Sequence, residues 1–256
     1  MSAVLTFLLL PFILSANAEL VPDEAESLRA FLQSHYGVTI LMGDEISVFP
    51  SETYALRIIP EGESVFLQTL AGNRRFADLL RRLDDVFSVY PPEFFSRYAK
   101  KDYVKGLRFL VTDQILLDGT RIGGVQSVHN RYIDIYLAKD DAKERAIHHD
   151  IWHAMEYRIC CDDPGAFDDW SSLNPVGFVY IGDFSVIRNG EDKLELEDWF
   201  ANEYGKIDEF EDRATVFEAL MNKDEAWWSA RPHLQKKAEY LLEKAESVFG
   251  EIFAGE

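Results

Sequence analysis

Residues 146–157 read AIHHDIWHAMEY, and the fold turns on whether this run is a metal-binding helix. His149 and His153 stand four apart, so on a helix they share a face and can present two imidazoles to one cation about 2 Å away. Asp150 is rotated off that face. It occupies the position where the His-Glu-x-x-His arrangement places a carboxylate that takes a proton from water without ligating the metal. The preceding KDDAKER, residues 139–145, puts acids near the start of a helix, where the macrodipole favours them. RYIDIYLA, residues 131–138, reads as the strand before it. Six histidines in 256 residues give such a pair by chance in roughly one chain in seven, so other residues have to complete the site.

A hydrolytic zinc site takes three protein ligands and keeps one position open, and the third ligand is often a glutamate on a later helix. EFEDRATVFEAL, residues 209–220, offers Glu211, 58 positions after His153 (211 minus 153), with Thr215 and Glu218 on the same helical face. Read alone, this helix also fits an acidic, solvated surface element. Glu156, one turn beyond His153, is placed to orient a ligand imidazole. His148 points about 100° away from His149, toward a supporting or surface position. His129 lies on a strand beside the cleft, where it either faces substrate or is a plain strand histidine.

Three runs together carry a resemblance: GGVQSVHNRYIDIYLAKDDAKERAIHHDIWHAMEY (123–157), WSSLNPVGFVY (170–180) and FANEYGKIDEFEDRATVFEALM (200–221). They resemble the zinc-binding metallopeptidases of the gluzincin type and, distantly, the catalytic domain of lethal-factor-type toxin proteases. The matching positions are Ile135, Tyr136 and Leu137, then Trp170, Leu173, Asn174, Pro175, Gly177, Phe178 and Tyr180, then Glu211, Asp212 and Ala214, within roughly residues 107–222. The resemblance implies Zn2+ held by His149, His153 and Glu211, with Asp150 in the place of the general base and Asp212 as a supporting carboxylate. It also implies that Tyr204, seven residues before Glu211, hydrogen-bonds the tetrahedral intermediate; on its own residues Tyr204 equally fits a tyrosine capping the core. The implied substrate is a protein or peptide.

Two positions depart from that pattern. Asp150 replaces a glutamate, and Thr215 replaces a second glutamate. The shorter side chain withdraws the carboxylate by about 1.5 Å, and a displacement of about 1 Å can lower a rate on the order of 100-fold. Two functions follow as expectations: an exported zinc metallopeptidase hydrolysing peptide bonds through a metal-activated water, or a catalytically weak or inactive pseudopeptidase that binds a protein partner through its cleft.

Composition sets the context. With 47% hydrophobic residues the chain can bury a full core. Its 45 acidic against 26 basic residues give a net charge of -19, a field that repels phosphate backbones and argues against a nucleic-acid partner. The opening MSAVLTFLLLPFILSANAELVP has an apolar run from Ala3 to Leu14, followed by Ala16 and Ala18 at the spacing of a signal-peptidase site. A signal peptide over residues 1–18 is therefore expected, with a secreted or periplasmic mature chain and no membrane span in it, the run being shorter than the ~20 residues a span needs. The alternative is a buried first helix. Cys160 and Cys161 are adjacent, so no disulfide framework is expected.

The predicted organisation is an N-terminal α/β lobe over residues 19–105 and a zincin-like metallopeptidase domain over 106–256. The expected fold class is α+β, with a mixed sheet, an active-site helix and a helical C-terminal part. Helices are expected in VPDEAESLRAFLQSHYG, in NRRFADLLRRLDDVFSVY running into PPEFFSRYAKK, and in RPHLQKKAEYLLEKAESVFGEIF. Strands are expected in VTILMG, TYALRIIP and GLRFLVTD, the last joined to RYIDIYLA by GTRIGGVQSVHN, whose glycines allow tight turns.

Overall fold

The computed structural model describes residues 24–46, 56–59, 70–117, 119–182 and 196–253; the leader expected at residues 1–18 lies outside them. Helix α1 (Glu24–Tyr36) carries acids in its first turn and is followed by Gly37 at φ 67, a left-handed stop that glycine tolerates. Strand β1 is Thr39–Met42, β2 is Leu56–Ile59 and α2 is Leu70–Phe87. Pro91 and Pro92 end that helical stretch, and the chain restarts as a short 3-10 turn, Phe94–Tyr98.

Four strands follow in close succession before the last of the sheet: β3 (Gly106–Thr112), β4 (Gln114–Leu117), β5 (Thr120–Ile122), β6 (Gly124–His129) and then β7 (Tyr132–Ala138). The run GTRIGGVQSVHN is thus mostly strand rather than connection. Gly119, at φ 75, turns β4 into β5, and VQSVH gains a full ladder by pairing antiparallel with β7. The main sheet has the order β1-β3-β7-β6, with β1, β3 and β7 parallel and β6 antiparallel at the edge, so the sheet is mixed. A second, antiparallel sheet has the order β2-β4-β5. The boundary expected near residue 105 falls just before β3, and β1 from one side of it hydrogen-bonds β3 from the other.

Strand β7 explains its own composition. Ile133, Ile135 and Leu137 join the large cluster under the helices, while Tyr136 and Ala138 pack with Ile46, Leu110 and Ile115 on the opposite face. Burial on both faces demands a nearly continuous apolar run. Helix α3 (Glu144–Cys160) lies between this sheet and α4 (Glu209–Asn222), and Ile147, Ile151, Trp152, Ala154 and Met155 are all fully buried. Two further helices, α5 (Glu225–Ser229) and α6 (Pro232–Phe249), complete six described helices, and α6 buries Leu234, Leu241 and Phe249. Cys160 and Cys161 are free thiols at the end of α3. Among the described residues no helix is long and apolar enough to cross a membrane.

Candidate metal centre

The turn from β7 into α3 presses the start of the helix against β6, and two consecutive glycines make room for it. A Cβ on Gly123 would stand 2.8 Å from the Asp141 carbonyl oxygen, and one on Gly124 would stand 2.0 Å from Asp150 Oδ2. The first glycine admits the turn and the second admits the carboxylate. On the other side, Asp208 caps α4 by accepting the Glu211 backbone N–H at 2.9 Å, which fixes the helix start at the residue that faces the histidines.

These two helices bring three donor atoms together. His149 Nε2 lies 3.0 Å from Glu211 Oε2 and 3.1 Å from His153 Nε2, and His153 Nε2 lies 3.6 Å from Glu211 Oε2. A tetrahedral ion with bonds of ~2.1 Å holds its ligands about 3.4 Å apart, so the triangle has the dimensions of one face of a zinc coordination shell. Two imidazoles and a carboxylate are also the donor types zinc takes. Among the described residues this is the group of three potential ligands that converges.

The electrostatics of the cluster are set by burial and mutual contact. Burial works to raise the Glu211 carboxyl, but its bonds to His149 and His153 prevail and bring it down to about 2. Burial works against charge on His149, and Glu211 and Glu218 together outweigh it, raising the imidazole to about 10. Asp150 is 5% exposed, and burial raises it to about 6 against the opposing pull of His149 and His153.

Tyr204 sits in a 3-10 turn, Glu203–Lys206, closed by the Asn202 side chain accepting the Gly205 N–H at 3.1 Å. Its phenol hydrogen-bonds Glu211, its ring lies 5.8 Å from that of His149, and burial followed by the charges of Glu211 and Asp150 raises its pKa, keeping it a proton donor. His149, Asp150, His153, Tyr204 and Glu211 all face a cavity of about 700 Å³, whose opposite wall is the edge strand around Gly124, Val125 and Gln126.

Other expected site residues lie elsewhere. Glu156 does not orient an imidazole: its carboxylate accepts Trp152 Nε1 at 3.1 Å and Arg213 at 2.7 Å, because the guanidinium buried between α3 and α4 needs a counter-charge. Asp212 touches neither histidine. It is fully buried and accepts Trp170 Nε1 at 3.1 Å, the Tyr180 hydroxyl at 2.8 Å and Lys237 Nζ at 2.7 Å, tying the loop over residues 170–180 to the helix that carries Glu211. Asn174 donates to the same Tyr180 hydroxyl at 2.8 Å. His148 is buried with Nδ1 2.8 Å from the Tyr90 hydroxyl, and His129 pairs with Tyr132 at the far end of β6, outside the cavity lining. Sequence reading missed Gly124 and assigned no role to Glu218. The Gly-Gly step and the seven-residue spacing from Glu211 were the available signals.

No protein-family model and no curated protein matches the chain. Among solved structures, a candidate zinc-binding metallo-peptidase from Bacteroides caccae is similar over 89% of this chain and 87% of its own, with a TM-score of 0.51 and 13% sequence identity. At that identity the likeness is one of fold alone. The chain therefore has a metallopeptidase-like fold of mixed α and β structure.

Proposed function

We propose that this chain is a zinc-dependent metallopeptidase of the gluzincin type, similar in its catalytic part to lethal-factor-type toxin proteases, exported by the leader at residues 1–18 and acting on protein or peptide substrates. The observation that carries the reading is the triangle of His149, His153 and Glu211 donor atoms, 3.0 to 3.6 Å on a side, opening onto a cavity that also holds Asp150 and Tyr204. Zinc bound there supplies Lewis acidity toward the scissile carbonyl and acidifies water. Strand β6 is a sheet edge lining the cavity, so an extended peptide can add to it through backbone hydrogen bonds. Asp150 takes the proton of the attacking water and returns it to the departing amine, and the Tyr204 hydroxyl donates to the oxygen on which negative charge develops.

The test is zinc analysis and peptide-library cleavage on wild type, His153→Ala and Asp150→Asn. The reading expects about one equivalent of zinc in wild type and in Asp150→Asn, loss of zinc in His153→Ala, and cleavage by wild type alone. Zinc content unchanged in folded His153→Ala removes the site. The tight seat of Asp150 against Gly124 favours a second reading, a pseudopeptidase that binds a protein partner through the same cleft. Zinc-loaded wild type that cleaves no peptide in the library selects it.

A further inference from the structure

We infer that Glu218 is a positioning residue that holds the His149 ring in its ligating orientation, an assignment that rests on the zinc-site reading above. With Nε2 of His149 turned to Glu211 and His153, its Nδ1 points the other way, and Glu218 Oε2 lies 3.6 Å from it. That is an ion-pair separation rather than a hydrogen bond, of the kind that shortens once the site is loaded. Ligating histidines as a rule donate their second N–H to a carboxylate or carbonyl, which fixes ring and tautomer.

The position one turn after Glu211 cannot supply that carboxylate. Thr215 stands there, 1% exposed, its hydroxyl donating to the Asp212 carbonyl at 3.0 Å, and Gly205 packs so closely that a Cβ on it would lie 2.5 Å from the Thr215 hydroxyl. A side chain the size of glutamate has no space beneath that turn. The next residue on the same face is Glu218, whose side chain is 17% exposed on the cavity wall. Its other oxygen, Oε1, lies 3.8 Å from Arg145 Nε, one helical turn before His149. Helix α4 thus supplies both a ligand and the brace for a ligand on α3.

The experiment measures zinc affinity by chelator competition, and the His149 ring N–H signals by NMR on zinc-loaded full chain, for wild type, Glu218→Ala, Glu218→Gln and Glu209→Ala. Glu218→Ala is expected to weaken zinc roughly 10- to 100-fold and to move or broaden the His149 Nδ1–H signal. Glu218→Gln, which keeps an acceptor oxygen, recovers most of the loss, and Glu209→Ala, which removes a charge from the same helix, stays within about twofold of wild type. A zinc-binding wild type matched by Glu218→Ala within twofold, with an unmoved Nδ1–H signal, overturns this assignment alone. A loss of affinity equal in Glu209→Ala overturns it in favour of a general field effect. Wild type that takes up no zinc overturns the site reading beneath it as well.

Discussion

Replacing Gly124 with alanine puts a methyl group where the Asp150 carboxylate now lies. The new Cβ would stand 2.0 Å from Oδ2, 3.1 Å from Cγ and 3.2 Å from Leu137 Cδ2. Carbon–oxygen contacts settle at about 3.3–3.6 Å, so the carboxylate must retreat by more than about 1 Å. Gly124 has no left-handed backbone, so the substitution adds no strain of its own. A base misplaced by about 1 Å loses on the order of 100-fold in rate, equivalent to about 2.7 kcal/mol of transition-state stabilisation. None of the metal-facing atoms of His149, His153 and Glu211 is among the close contacts of the new methyl, so zinc content should stay at the wild-type level. The assay is cleavage of a peptide that wild type processes, with zinc analysis and a thermal melt on the same preparation. Zinc-loaded, folded Gly124→Ala that cleaves at the wild-type rate would falsify the placement of Asp150 as base.

Asp150→Glu should lower activity instead of restoring a longer ancestral reach, because the side chain is 5% exposed and already lies against β6; a gain in kcat would show that the seat has slack. Burial pushes His148 down to about 4 from its ordinary value near 6.5, so the unfolded chain binds its proton first as pH falls. Stability from this residue is therefore complete above pH ~6.5 and lost progressively toward pH ~4, by roughly 3 kcal/mol in all. Melts in chelator should show that pH dependence in wild type and a flatter one in His148→Gln, and identical curves would sink the argument. Lys237→Met leaves the fully buried Asp212 carboxylate without its cation, which costs about 3 kcal/mol and lowers the melting temperature by roughly 6–12 °C; a shift under 2 °C would refute it.

Local chemistry made part of this legible in advance. The acids ahead of HHDIWH, the strand composition of YIDIYLA and the helical run EFEDRATVFEAL are short-range signals, and each marks an element found where the residues place it. Spacing put His149 and His153 on one helical face, the family resemblance pointed to Glu211, and the fold brings the three together. Partner choice was not local. Whether Glu156 meets an imidazole or Arg213 depends on how α4 crosses α3, 57 positions away in sequence. The seat of Asp150 depends on a strand 26 residues upstream (150 minus 124), and a two-residue Gly-Gly step reads equally as a turn until the ladder with β7 is known. The pairing of β2 with β4, beside β5 in a separate sheet, is likewise a long-range choice that alternation within each strand does not encode.

Gly205, packed on Thr215, seats the turn bearing Tyr204 directly on the helix bearing Glu211, and the backbone at Ile181 and Gly182 is hydrogen-bonded to Lys206 and Ile207 beside it. On the proposed reading, the ligand and the phenol on this side of the cleft therefore sit on one packed unit, while His149, Asp150 and His153 sit on α3. Were the proposed enzyme to part along the seam between these elements, Glu211 would draw away from both histidines as the Tyr204 hydroxyl withdrew with it. In that enzyme, product release and retention of the ion would share one coordinate, and a tighter seam would slow turnover as it slowed metal exchange.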